Sequence, residues 1–340
     1  MSKARFLVIG SNSFSGSHFV AGALRNGHAV WGVSRSVEPN SVFLPYRWAQ
    51  PDGNESLATK DNFNFQTIDL NSELNQLFEL IDHVRPEIIV NFAAQGMVAE
   101  SWLNPTHWYR TNVVAQVALH DELRKKKFLH KYVHVTTPEV YGSTDGSWIK
   151  EHNNFAPSTP YAVSRAACDL HLHSFHQAYG FPVIFTRAAN VYGPGQQLYR
   201  IIPRTLLSAR TGKPMQLHGG GYSIRSFIHI KDVVEATLKL ALTGESGTTW
   251  HLSGERSCSI RQLVEQICRL AGASFSELVQ SSEERLGKDQ SYLLDSSAVR
   301  QVHGWTDQVS LKEGLRETLE WVDANLATLK TLPWSYQHKS

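Results

Sequence analysis

The sequence predicts an α/β fold: a doubly wound parallel sheet with a smaller mixed α/β lobe after it. Three observations predict it. Short apolar runs alternate with helical patterns through the first half of the chain, a glycine-bearing turn follows the first of these runs, and beyond about residue 190 the alternation loosens into a mixture of helices and short strands. Strands that alternate with helices pair in parallel and carry helices on both faces.

The first strand is "RFLVIG", and a helical pattern follows from Ser17 to Asn26. The strands "AVWGV" and "FNFQTIDL" come next, then a helix from Glu73 to Asp82, then "EIIVNFAA", a helix from Trp108 to Lys125 and "YVHVTT". A helix from Tyr161 to Tyr179 and the strand "FPVIFTRAANVYGP" complete a core over residues 1–190. Residues 191–340 form most of a second lobe, with helices at Ile201 to Thr211, Asp232 to Thr243, Ile260 to Ala271 and Leu311 to Leu329. Within that half "RSFIHI" and "TTWHLS", in the span of about 225–255, are expected to return to the main sheet, so the two lobes interleave.

Composition narrows the function. The 340 residues carry 33 basic and 31 acidic side chains, a formal charge of +2, so no global field draws nucleic acid or an anionic membrane. The basic run Arg124 to Lys127 reads as a solvated helix end. Cys168, Cys258 and Cys268 show neither disulfide nor zinc spacing. The start of the chain reads as cytoplasmic. His171, His173 and His176 are spaced poorly for one helix face and read as surface histidines, so no metal is expected.

Gly10, Ser13 and Gly16 lie three residues apart between the first strand and its helix. Such a turn is an anion site, because free N–H groups and the helix dipole both point at it, and a pyrophosphate would sit there. Ser13 occupies the place where glycine permits the closest approach. The second strand ends in Ser34 and Arg35 rather than the acid that would bind the ribose hydroxyls of NAD, and an arginine there can meet a 2′-phosphate; this leans the reading slightly to NADP, against an ordinary exposed loop arginine. Asp69 is a candidate acceptor for the adenine amino group. Tyr161 and Arg165, four residues apart, share a helix face, so phenol and guanidinium would lie over one another, either as chemistry or as an amphipathic contact.

With that turn, "VNFAAQ", "VTTPEVYG", "PYAVSRAACD" and "RAANVYGPGQ" in this order, the chain resembles the extended short-chain dehydrogenase/reductases, a family with a Rossmann-type core, and within it the nucleotide-sugar 4,6-dehydratases of polysaccharide and deoxysugar biosynthesis. The resemblance implies a tightly bound NAD(P) held by Gly10, Ser13, Phe14, Ser15, Gly16, Ser34, Arg35, Asp69, Leu70, Ala93, Ala94, Tyr161 and Arg165. It implies Tyr161 as the base at the sugar's fourth carbon, Thr137 as a hydrogen-bond partner of the same oxygen, and Glu139 as the base at the fifth carbon. Asn190, Arg225, Arg285 and Lys288 would hold the diphosphate and sugar of a nucleotide-diphosphate-sugar substrate. Two positions depart from the family pattern: Arg165 stands where the family has lysine, and Pro138 where its best-known dehydratases place an acidic aspartate. The resemblance also implies a homodimer or dimer of dimers through the helices at 108–125 and 161–179. A 4-epimerase or a decarboxylase of the same family, and a cofactor-binding protein without turnover, are the alternative readings.

Overall fold

The computed structural model describes residues 3–50, 56–283 and 291–339. Its first seven strands are β1 (Arg5–Ile9), β2 (Ala29–Ser34), β3 (Phe63–Thr67), β4 (Ile88–Asn91), β5 (Lys131–Thr136), β6 (Trp148–Ile149) and β7 (Val183–Ala188). Then come β8 (Asn190–Tyr192), β9 (Met215–His218), β10 (Ile224–His229), β11 (Thr249–Leu252), β12 (Ser257–Ser259), β13 (Val279–Ser282) and β14 (Ser291–Leu294). The principal helices through residue 243 are α1 (Phe14–Arg25), α2 (Leu74–Val84), α3 (Pro105–Tyr109), α4 (Ala115–Leu123), α5 (Pro160–Tyr179), α6 (Ile201–Thr211) and α7 (Ile230–Thr243).

Seven strands form one parallel sheet in the order β11-β7-β5-β4-β1-β2-β3. The chain winds outward from β1 in one direction and then returns to wind in the other, so a crevice opens where β1 and β4 part, at the carboxyl ends of the strands. Every residue of β4 is buried, as a central strand covered on both faces requires. On one face Leu7, Ile9 and Ile89 pack against Leu77, Leu119 and Leu172 from α2, α4 and α5; on the other Phe6, Val8 and Val90 meet Phe19, Val20 and Leu238 from α1 and α7. Each such side chain contributes roughly 1.5–3 kcal/mol on leaving water.

Of the two segments expected to return to the sheet, "TTWHLS" does so as β11 beside β7. "RSFIHI" does not. As β10 it pairs with β8, β12 and β14 in a second sheet that also holds β6. The cause is local: β8 leaves the main sheet directly after β7 and offers its free edge to Phe227–His229 in parallel register.

The helix expected over 108–125 is α3 and α4 joined by a π turn, Arg110–Val114. The turn carries Asn112 inward, where its Oδ1 accepts from the Gln95 N–H at 2.7 Å and its Nδ2 donates to the Gln95 carbonyl at 3.0 Å and to Ser164 Oγ at 3.0 Å. Helix α5 starts cleanly because Thr159 Oγ1 accepts from the Ala162 N–H at 3.1 Å and Pro160 stands in the first turn; it ends at Gly180, whose φ of 65° suits glycine. Among the described residues no helix is long and apolar enough to cross a membrane.

Candidate active site

The turn after β1 is shaped by its glycines. Gly10 has φ 81°, and a Cβ there would stand 2.8 Å from the Ala93 nitrogen; a Cβ on Gly16 would strike the Gly10 carbonyl oxygen. The backbones of this turn and of the segment after β4 therefore touch, leaving a shallow cradle at the N-terminus of α1. Ser13 is its N-cap, its Oγ accepting from the Gly16 N–H at 3.1 Å. That explains a serine where the closest approach would favour glycine: it spends its oxygen on the helix end. The N–H groups of Phe14 and Ser15, in the first turn, have no intrahelical acceptor and stand at the positive end of the helix dipole. A pyrophosphate fits these donors.

Ser34, at the end of β2, accepts from the Asn12 N–H at 3.0 Å. Arg35 is turned along the rim, its Nη1 donating to the Lys339 carbonyl at 3.2 Å. Asp69 and the buried Leu70 follow β3, with Asp69 Oδ1 accepting from the Asn71 N–H at 2.8 Å. Ala93 and the exposed Ala94 follow β4. The residues expected to bind a dinucleotide thus lie along the carboxyl edge of β1 to β4.

The chemistry-bearing set lies at the carboxyl end of β5. Thr137 caps the short turn Pro138–Tyr141, its Oγ1 accepting from the Glu139 N–H at 3.3 Å, and proline is at home in the first position of such a turn. The half-buried Tyr161 phenol, from the first turn of α5, hydrogen-bonds the Thr137 side chain. Burial and the nearby Glu139 carboxylate push that phenol above its ordinary value of 10.0, while Arg165, the bond to Thr137 and Arg200 oppose them. Three residues from two elements, Thr137, Glu139 and Tyr161, are therefore one cluster.

Arg165 shares the helix face with Tyr161, but its guanidinium does not lie over the phenol as the spacing predicts. It turns into the sheet, where Nη2 donates to the Val135 carbonyl at 2.5 Å and lies 3.3 Å from His134 Nε2. The attraction is a buried polar network: Asp169 Oδ2 accepts from Arg187 Nη2 at 2.8 Å and from Thr136 Oγ1 at 3.0 Å, and Asp169 Oδ1 stands 3.3 Å from His134 Nε2. Arg165 Nε and Nη1 are buried with no hydrogen-bond partner in the protein. Buried donors of this kind demand an acceptor.

Asn190 opens β8, just past β7, with Nδ2 donating to the Ser226 carbonyl at 3.2 Å. The buried Arg225 is the neighbour of Ser226 on β10, and its guanidinium sits 4.2 Å from the centroid of the Tyr292 ring. Arg285 and Lys288 lie outside the described residues. Reasoning from the sequence did not find Arg200, Gln95 or the network of His134, Asp169 and Arg187. Asp169 alone left a signal, since it stands four residues beyond Arg165 on the same helix face.

The histidines expected at the surface are partly buried. His173 stacks on Phe185 with centroids 4.2 Å apart, and His171 on His120 at 5.5 Å; burial lowers both below the ordinary 6.5. Among the described residues one buried group, His120, His134 and Cys168, brings potential metal-ligand atoms within 4.8 Å of one another. It lies beside Arg165 and Arg187, two guanidiniums facing the single carboxylate of Asp169, and a further cation there would be repelled.

A family model described as GDP-mannose 4,6 dehydratase matches residues 7–318. Over 331 residues the chain is 32% identical to a dTDP-glucose 4,6-dehydratase of Streptomyces niveus, covering 95% of this chain and 94% of that protein. It is 31% identical over 267 residues to a trifunctional UDP-glucose 4,6-dehydratase, 3,5-epimerase and reductase of Arabidopsis thaliana; that match takes in 78% of this chain and only 40% of the plant protein. Among solved structures, a dTDP-glucose 4,6-dehydratase of Streptomyces venezuelae with NAD bound superposes with a TM-score of 0.85 at 29% identity, over 95% of this chain and 98% of that one. A dTDP-glucose 4,6-dehydratase of Bacillus anthracis in complex with NAD gives a TM-score of 0.85 at 27% identity, over 97% and 100% of the chains. A UDP-glucose 4-epimerase of Thermotoga maritima shares the fold, with a TM-score of 0.83 at 24% identity over 95% of this chain and 99% of that one.

Proposed function

The chain belongs to the nucleotide-sugar 4,6-dehydratase branch of the extended short-chain dehydrogenase/reductases, and on that premise we propose that it converts a nucleoside-diphosphate hexose into its 4-keto-6-deoxy derivative. The observation that carries the reading is the cluster of Thr137, Glu139 and Tyr161: a phenol bonded to a threonine hydroxyl, with a carboxylate close enough to raise it. An NAD-type dinucleotide, bound on the turn from Gly10 to Gly16 and along Ser34, Asp69, Ala93 and Ala94, would accept a hydride from the sugar and later return it.

Tyr161 takes the proton of the hydroxyl on the fourth carbon, and Thr137 holds that oxygen. For this the phenol must ionise, and burial works against it. Arg165 supplies a fixed positive charge one helical turn away, in the place of the family's lysine. Its unsatisfied Nε and Nη1 are the donors that would orient the nicotinamide ribose. Glu139 then takes the proton on the fifth carbon, which the new ketone acidifies. Pro138 has no acid to lend to the departing hydroxyl, so Glu139, or a water held by it, protonates the leaving group. Asn190 and Arg225 hold the diphosphate and sugar from the second sheet; arginine's fork of donors suits such oxygens. The lobe built on that sheet is the substrate side of the molecule, and residues 1–190 with β11 the cofactor side.

The resident dinucleotide of this proposal is NAD rather than NADP. Similar crystal structures hold NAD, and Arg35 is engaged by the Lys339 carbonyl instead of standing clear for a 2′-phosphate. The enzyme works in the cytoplasm as a homodimer or a dimer of dimers. Tyr109, Val114, Val163 and Leu170 are exposed on α3, the π turn and α5, an apolar stripe suited to pairing with its copy.

The deciding experiment is incubation of the enzyme with a panel of nucleotide sugars in deuterated water, with mass spectrometry and NMR of the products. A 4-keto-6-deoxy sugar carrying deuterium on the fifth carbon supports the proposal. An epimerised sugar unlabelled at that carbon would establish the 4-epimerase, which has no use for Glu139, and release of carbon dioxide from a uronic acid would establish the decarboxylase. Absence of any turnover across the panel would leave a dinucleotide-binding protein. Denaturing the purified protein and identifying the released dinucleotide checks NAD against NADP.

A further inference from the structure

Residues 334–339 run from the second lobe to the rim of the cofactor crevice. Trp334 is fixed at the near end: Arg204 Nη1 of α6 donates to its carbonyl at 2.9 Å, and the Lys213 ammonium sits 5.0 Å from its ring centroid. Tyr336 packs edge-on against Tyr199 at 5.4 Å, and its hydroxyl accepts from Gln95 Nε2 at 3.2 Å. His338 Nε2 lies 2.8 Å from His107 Nδ1, and its ring stacks on Trp108 with centroids 5.0 Å apart and planes 6° from parallel. Lys339 closes the path. Its carbonyl accepts from Gln95 Nε2 and from Arg35 Nη1, each at 3.2 Å, and its ammonium donates to Ser36 Oγ at 2.8 Å.

Topology makes this arrangement consequential. Arg35 and Ser36 follow β2 and Gln95 follows β4, the two strands that flank β1, and the turn from Gly10 to Gly16 follows β1 itself. A residue bonded to both rims must pass over that turn. The hydrogen bonds of Tyr336, His338 and Lys339 go to Gln95, His107, Arg35 and Ser36, on the segments that flank the turn.

Resting on the functional reading above, we infer that Tyr336, His338 and Lys339 are cofactor-site residues, forming the outer wall of the dinucleotide site and holding NAD in place through turnover. A redox-neutral dehydratase needs such retention, because the hydride taken in the first step must be returned in the last.

The test is the release of bound NADH, followed by its fluorescence after mixing with excess NAD, in the full-length chain and in a Tyr336→Ala, His338→Ala, Lys339→Ala triple variant. Release should be at least about tenfold faster in the variant, with the melting temperature of the dinucleotide-free proteins unchanged; if the triple variant does not fold, a Tyr336→Ala, His338→Ala double variant, which removes the side-chain contacts to Gln95, His107 and Trp108, carries the test. Equal release rates would overturn the wall. Slower release or tighter binding by the variant would also overturn it, by showing that the segment competes with the dinucleotide. A wild-type protein that binds no dinucleotide would overturn the functional reading and this inference with it, an outcome visible before any variant is made.

Discussion

Replacing Asp169 with asparagine tests how the buried charges around Arg165 and Arg187 are balanced. Asp169 and Arg187 are both fully buried, with Oδ2 and Nη2 2.8 Å apart. Burial alone would push the Asp169 carboxyl up, but Arg187, His134 and Arg165 outweigh it and hold it at about 2 against an ordinary 3.8. At about 1.4 kcal/mol per pH unit, that depression corresponds to roughly 2.5 kcal/mol of folding stability. Because the folded value lies below the unfolded one, this stability is complete above the ordinary carboxylate range and disappears as the pH falls through about 2. Asparagine keeps the shape and removes the charge, so it also leaves two guanidiniums buried without a counter-ion, for which about 3–5 kcal/mol is usual. The loss should therefore fall between about 2.5 and 5 kcal/mol. An unfolding entropy of about 2.1 cal/mol/K per residue turns this into a melting temperature lowered by roughly 4–7 °C for a chain of this length. Thermal unfolding followed by circular dichroism at pH 6, 7 and 8 measures it, and the decrement should be the same at all three, since Asp169 is ionised throughout. A variant melting within about 1 °C of the wild type would refute the account.

Three other expectations concern the cluster and the outer face. Tyr161→Phe removes a base and little volume, so kcat should fall by about 10² to 10⁴ while the affinity for NADH, measured by fluorescence titration, stays the same. Glu139→Gln should still oxidise the sugar at its fourth carbon, so that reduced cofactor accumulates and absorbs at its characteristic wavelength; wild-type rates of 4-keto-6-deoxy product would remove Glu139 from the mechanism. Sedimentation at micromolar concentration should show a dimer or tetramer, and a 38.2 kDa species alone would count against the stripe on α3, the π turn and α5 as an interface.

The parallel sheet was legible because strands buried on both faces must be nearly all apolar, as "FLVI" and "IIV" are, and because each was followed by a helix-length pattern. Thr137, Glu139 and Tyr161 were legible as a group only through their order in a family pattern; nothing in their spacing brings residue 161 to residue 137, which takes the pairing of β5 with β7 and the packing of α5 against them. Three features escaped the sequence because each depends on a partner far along the chain. β10 is apolar enough for the main sheet, and only the free edge of β8 draws it elsewhere. Arg165 has the right spacing to cover Tyr161, but the Val135 carbonyl on β5, 30 residues earlier, holds it inward. Lys339 lies more than three hundred residues from Arg35 and Ser36, and no local pattern marks it as their neighbour.

The π turn at Arg110–Val114 lets one helical run do two incompatible things. A regular helix advances about 100° per residue, so a stripe in phase at one end stays in phase at the other; the wide turn inserts one residue and shifts that phase. Here the shift allows Asn112 to turn inward and fasten the Gln95 backbone to Ser164 at the head of α5, while Val114 two residues later stands 63% exposed. The segment after β4 and the helix carrying the phenol are thereby tied together by a single side chain. The outer surface of the same run is free to meet another molecule. Losing one residue here would regularise the helix and put the two faces out of step, so its length, more than its composition, is what this part of the chain must keep.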